Sequence, residues 1–210
     1  MQKVGNLSFR EMYKKMVYIA DQNSLNILKM GYQIPVKGDE TGILAYGYVD
    51  SEHGICFNIF SLVREEEGKI VSFNDKPMQE KINHRVRLDD VKNLNGFEVK
   101  YEDIDLDRYV DRAIELNEKF FESEEKEAVR YNTQIDGFRH EIFPDDVECH
   151  IYDMKDKKLE GLWARTLAMT PQGIQAKVIT PVSKHFGLSI DDGIELKLYN
   201  INDTLRLMFI

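Results

Sequence analysis

Cysteine is almost missing from this chain of 210 residues: Cys56 and Cys149 are the only two, and neither belongs to a Cys-x-x-Cys pair. That excludes a disulfide framework and a thioredoxin-like redox couple, and two free thiols suit a reducing cytosol. Proline and glycine are also sparse, five and thirteen residues, with no low-complexity tract and no fixed-period repeat. Linkers, solenoids and disordered arrays are thereby excluded. No apolar run approaches the roughly 18–20 residues that a bilayer span requires, and no leader-like apolar segment opens the chain. The expected location is the cytoplasm, with no membrane partner. Positive charge is in deficit, 28 Lys and Arg against 37 Asp and Glu for a net charge of -9. Such a balance opposes non-specific nucleic-acid binding by the chain as a whole, which lysines and arginines drive by displacing phosphate counterions. Gly-x-x-x-x-Gly-Lys-Ser/Thr, Gly-x-Gly-x-x-Gly and Gly-x-Ser-x-Gly are all absent from the sequence. The usual phosphate cradles and the serine nucleophile elbow are therefore out, and the sequence predicts neither an enzyme nor a cofactor.

What is present suffices for a folded core: 42% of residues are hydrophobic and 10% aromatic. Charge is unevenly spread, with residues 1–37 carrying +4, residues 38–158 carrying -13 and residues 159–210 neutral. The acidic middle includes Glu65-Glu66-Glu67 and, further on, Glu122, Glu124 and Glu125. These six carboxylates are the candidate partner-binding residues. The leading expectation is a non-enzymatic protein that meets a basic protein partner through an acidic surface, by long-range steering.

Local patterns predict an α+β fold. Ser8 and Glu11 make a capping box with Leu7 and Met12 placed as a staple, so a helix is expected from Phe9. Phe9, Met12, Tyr13, Met16, Val17 and Ala20 extend it as one apolar stripe. A second helical run is expected over 24–31, ending at Gly31. Three β-rich runs, 42–49, 54–64 and 68–73, predict an antiparallel meander. Strands are expected again at 84–88 and 97–101. A long central helix is expected from Asp105 or Asp107 to about Val129, on a stripe of Leu106, Tyr109, Val110, Ala113, Phe120 and Phe121. Strand patterns at 147–152, 159–170, 173–180, 194–199 and 204–210 then predict a β-rich, barrel-like C-terminal subdomain. The expected division is 1–132 and 133–210.

His53-x-x-Cys56 with Cys149-His150 offers four zinc-type donors, but adjacent residues on a strand point to opposite faces, so no metal site is predicted. Asp103, Asp105 and Asp107 begin like a calcium loop, yet Arg108 stands where the loop needs Gly and Ile114 where it needs Glu. A metal-dependent nuclease is one alternative function, with Asp90, Glu98 and Lys100 as its catalytic candidates. Trp163 with Arg165 at i, i+2 reads as a packed aromatic beside a charge.

One stretch carries a family resemblance. Val178–Tyr199 reads strand, Pro181, a short helical turn at Lys184-His185-Phe186, Gly187-Leu188, then Asp191-Asp192-Gly193 and a second strand. It resembles the strand–short helix–strand element of the AbrB and MazE-like swapped-hairpin transcription factors. Asp191 stands where that pattern has Gly, a conformation Asp adopts less readily. The resemblance covers 22 residues and implies a homodimer. A second alternative function is a specific DNA-binding regulator, as members of those families are, with the basic residues nearby, Arg165, Lys177 and Lys184, as its candidate contacts.

Overall fold

The computed structural model describes residues 1–20, 38–75, 84–100, 104–105 and 107–209. The helix expected over 24–31, and Asp103 and Leu106, lie outside the described residues. The chain forms two compact units, Met1–Phe120 and Phe121–Ile210.

The expected α+β fold with a leading helix and a long central helix does not hold. The molecule is mostly β, and the described residues form twelve strands in two sheets against helices of at most ten residues. No helix among the described residues is long and apolar enough to cross a membrane.

In the first unit, β1 (Gln2–Lys3) leads into helix α1 (Phe9–Met12), opened by the Ser8–Glu11 capping box in both directions. The helix stops after one turn, where Tyr13 is already extended at ψ 118°, and Lys14 then adopts a left-handed backbone, φ 56°. The chain then becomes strand β2 (Met16–Ala20), all five of whose residues are buried. Met16, Val17, Tyr18, Ile19 and Ala20 are apolar without interruption, which suits a central strand buried on both faces as well as it suits a helical stripe. β-branched and aromatic residues tip that balance toward the sheet. Strands β3 (Gly42–Asp50), β4 (Gly54–Glu66) and β5 (Lys69–Asp75) form the meander. β6 (Arg85–Arg87), helix α2 (Leu88–Val91) and β7 (Asn95–Val99) follow. The sheet runs β1-β7-β2-β3-β4-β5, with β6 paired to β4.

Both faces of this sheet are covered. Val17, Ile19, Ile43, Phe57 and Leu62 pack with Met12, Leu88 and Val91 on one side. Tyr18, Leu44, Phe60 and Val63 pack with Tyr109 and Leu116 on the other. Tyr109 closes a 3-10 turn, and Leu116 belongs to helix α3 (Val110–Lys119). The β3–β4 register shifts between Leu44 and Ala45, skipping Phe60. Arg112 of α3 supplies the donors there, Nη1 to the Phe60 carbonyl at 3.0 Å and Nη2 to that of Ile59 at 3.1 Å.

The long central helix breaks after Phe120. Ser123 sits in extended backbone and its hydroxyl accepts the Lys126 N–H at 3.1 Å, starting a separate helix, α4 (Glu124–Tyr131). Ser followed by Glu124, Glu125 and Glu127 is an N-cap with acid in the first turn, a start signal that apolar periodicity alone passes over.

The second unit is a closed barrel of β8 (Asp146–Asp153), β9 (Lys158–Met169), β10 (Ile174–Val178), β11 (Gly193–Ile201) and β12 (Thr204–Phe209). The chain meanders antiparallel from β8 to β12, and β12 then closes on β8 in parallel, Met208 opposite His150. Val147, Cys149, Ile151, Leu162, Ala164, Ile174, Ala176 and Leu196 fill the interior by period-two alternation. Helix α4 contributes Val129 to the same core.

Between β10 and β11 lies the 3-10 turn Lys184–Phe186, stopped by Gly187 at φ 68°. Asp191 is left-handed as well, φ 72°, pinned by its N–H on the Val178 carbonyl at 2.8 Å. Its carboxylate meets Lys177 at 3.0 Å in solvent, where a pair is worth little. Asp191→Gly should therefore leave stability within about 0.5 kcal/mol, whereas Asp191→Val should lower it by about 1–2 kcal/mol, the penalty for a β-branched side chain in a region that Asp tolerates better. Urea unfolding followed at Trp163, the one tryptophan and a β9 residue, measures both.

Candidate ligand-binding cleft

The first unit carries a cleft of about 460 Å³ between its sheet and α3. Its floor is a row across three strands. Val99 of β7 faces Met16 of β2, which faces Tyr46 of β3. Its wall is one face of α3: Val110, Ala113, Ile114 and Asn117, spaced i, i+3, i+4, i+7. Val110 and Ile114 stay 36% and 48% exposed, so the helix presents an apolar face that its own unit leaves partly open. The Tyr46 hydroxyl donates to Asn117 Oδ1 at 3.2 Å and ties floor to wall. Next along the row, Asn58 faces Tyr46 from β4, buried, its Nδ2 without an acceptor among the described residues.

Charge collects around this floor. Lys14, Lys15 and Lys100 line the cleft with one carboxylate, Glu98. Lys15 Nζ stands 3.5 Å from Glu98 Oε1. The two N-terminal lysines owe their place to the turn that ends α1. Lys14 N–H donates to the Gly47 carbonyl at 2.8 Å, and Gly47 N–H donates to the Lys15 carbonyl at 2.9 Å. This clamp holds Lys14 in its left-handed backbone, a conformation that costs energy and recurs at binding sites.

No protein-family model, curated protein or solved structure matches this chain.

Of the nuclease candidates, Glu98 and Lys100 both line the cleft, and Asp90, in α2, does not. Glu98 is engaged by Lys15 and belongs to none of the metal-type clusters of three or more donors among the described residues. The acidic residues divide between the units. Glu65, Glu66 and Glu67 lie at the β4–β5 hairpin, where Glu65 accepts the Gly68 N–H and Arg64 meets Glu66 at 3.1 Å. In the second unit Glu124 and Glu125 are exposed in the first turn of α4, while Glu122 reaches the buried Arg130 at 2.6 Å. The DNA candidates are partly occupied: Arg165 holds both oxygens of Asp146, at 2.6 and 2.9 Å, and Lys177 meets Asp191. Lys184 is exposed on the 3-10 turn.

Both cysteines are buried in the core of their own unit. Burial pushes the Cys56 thiol up to about 11 and the Cys149 thiol up to about 12, so each stays protonated and unreactive at neutral pH. His53 instead pairs with Asp50, Nδ1 to Oδ1 at 3.0 Å.

Apolar periodicity puts Lys14 and Lys15 opposite the Phe9–Ala20 stripe, on the wet side of a helix, and Val110 and Ala113 on a core-packing side. It does not single out Tyr46 or Asn117, which also line the cleft. The available signal was the Lys-Lys pair set immediately before an unbroken apolar run, which marks a turn entering a buried strand.

Proposed function

We propose that this chain is a non-catalytic binding protein whose first unit takes an anionic small molecule with an apolar body. The observation that carries this reading is the pairing, in one cleft, of three lysines with an uncovered apolar helix face. A volume near 460 Å³ falls within the range of about 300–1,000 Å³ usual for small-molecule sites. The lining supplies ammonium, phenol and amide groups for orientation and Val99, Val110, Ala113 and Ile114 for burial, the division of labour typical of recognition. Glu98, countered by Lys15, sets the position of that ammonium and leaves the net charge of the lining at +2. The proposal keeps the binding role expected from sequence and moves the contact from the acidic runs to the cleft.

Calorimetry with dodecanoate and phenyl phosphate, against dodecanol and inorganic phosphate, tests it. The two amphipathic anions should bind and the other two should not. Lys14→Glu/Lys100→Glu should weaken the anions at least tenfold, and Ile114→Asp should do the same through the apolar wall. Equal affinity for dodecanol and dodecanoate, or indifference to both variants, would overturn the reading.

A further inference from the structure

The second unit holds a group of side chains that no part of the cleft uses. Asp153 ends β8, Asp156 lies in the β8–β9 turn, and His185 sits in the 3-10 turn between β10 and β11. One donor atom from each lies within 4.8 Å of the other two. His185 Nε2 is 3.0 Å from Asp153 Oδ2 and 3.4 Å from Asp156 Oδ2. We infer that Asp153, Asp156 and His185 form a binding site for a zinc-type divalent cation.

The spacing suits that ion. Ligand atoms at about 2.0–2.1 Å from a tetrahedral zinc stand about 3.3 Å apart, so the two His–Asp separations already match. The third, Asp153 to Asp156, lies within 4.8 Å and closes by rotation of the exposed Asp156 carboxylate. The donors are oriented from outside the group. Oδ1 of Asp153 accepts the Lys155 and Asp156 N–H groups at 2.8 and 3.3 Å, which leaves Oδ2 to face the imidazole. The His185 ring meets Phe186 edge-on at 5.1 Å, and the Ser183 N–H is anchored on Glu160 Oε1 at 3.0 Å, fixing the turn against β9. A held Asp153 carboxylate and a held His185 ring keep those two ligands aimed at one point, and the exposed Asp156 carboxylate is the one that swings in. An imidazole with two carboxylates favours zinc, cobalt or nickel over magnesium and calcium, which take oxygen donors. Three protein ligands leave a position for water or for a ligand from another molecule.

Calorimetric titration of the full chain, free of any polyhistidine tag and dialysed against EDTA, tests the site with ZnCl2. One equivalent should bind, and His185→Ala, Asp153→Asn and Asp156→Asn should each weaken it at least tenfold. Asp156→Asn leaves both N–H bonds to Asp153 in place, so it separates ligation from folding of the turn. CoCl2 should produce the visible absorption of a low-coordinate cobalt site in the wild type and lose it in His185→Ala. Zinc affinity unchanged in His185→Ala and Asp156→Asn would overturn the proposal, as would MgCl2 binding as tightly as ZnCl2.

Discussion

Arg130→Ala should destabilise the second unit by about 3–5 kcal/mol, the usual cost of stripping one partner from a buried ion network. The Arg130 side chain is 1% exposed. It reaches Asp145 twice, Nε to Oδ1 at 3.1 Å and Nη2 to Oδ2 at 2.8 Å, and also Glu127 at 3.0 Å and Glu122 at 2.6 Å. Lys126 adds a second cation, 3.1 Å from Asp145 Oδ2, and its ammonium also donates to the Thr166 carbonyl. Removing Arg130 would strip the buried Asp145 of its two-point partner and leave Lys126 as the cation beside it. Urea unfolding at Trp163 measures the loss, and because the first unit has no tryptophan, the signal belongs to the barrel unit. A midpoint unchanged from wild type would show the network to be ornamental.

The same network sets an acid limit. Burial works against the charge of Asp145, yet the hydrogen bonds and charge of Arg130, with those of Lys126, outweigh it and hold the carboxyl below its ordinary value. A carboxyl with a lowered folded pKa adds stability above its unfolded pKa, about 3.9, and gives it up as pH falls from there through the folded value. Barrel stability should therefore decline below about pH 4. In Asp145→Asn that part of the acid decline should be smaller.

Gly47→Ala should cost about 3 kcal/mol and abolish binding of amphipathic anions to the cleft. A Cβ at Gly47 would stand 2.0 Å from the Met12 carbonyl oxygen and 3.0 Å from its carbon. Both are backbone atoms, so no side chain can swing aside. The turn from α1 into β2 would have to move, breaking the paired hydrogen bonds that bring Lys14 and Lys15 to the cleft. Near-UV circular dichroism during thermal unfolding, with dodecanoate calorimetry alongside, reads both effects. Retained dodecanoate affinity in a folded Gly47→Ala protein would detach the clamp from the site.

Several features were legible because their cause is local. Ser8 and Glu11 cap α1 through atoms three residues apart, and the barrel strands alternate with period two because one face of each is buried. The turns around Gly68 and Gly187 need a backbone that glycine supplies. Other features had no local cause. Met16–Ala20 carries apolar residues at every position, so periodicity could not separate helix from central strand; pairing with β3 and β7 decided it. The break at Phe120–Ser123 needed a capping serine to outweigh a continuing apolar stripe. Asp90, Glu98 and Lys100 are close in sequence, yet only the last two line the cleft.

By itself, then, the sequence determined the local punctuation of this protein: its caps, its turns, its alternating strands and the uneven charge along the chain. Tertiary structure alone decided that the protein is mostly β, that Lys14, Lys15 and Lys100 ring an apolar helix face, and that Asp153, Asp156 and His185 converge. The reason is distance along the chain. Lys15 and Glu98 meet because β2 pairs with β7, and His185 reaches Asp153 because a barrel closes. Contacts of that separation come from the packing of whole strands, which no short window of residues encodes.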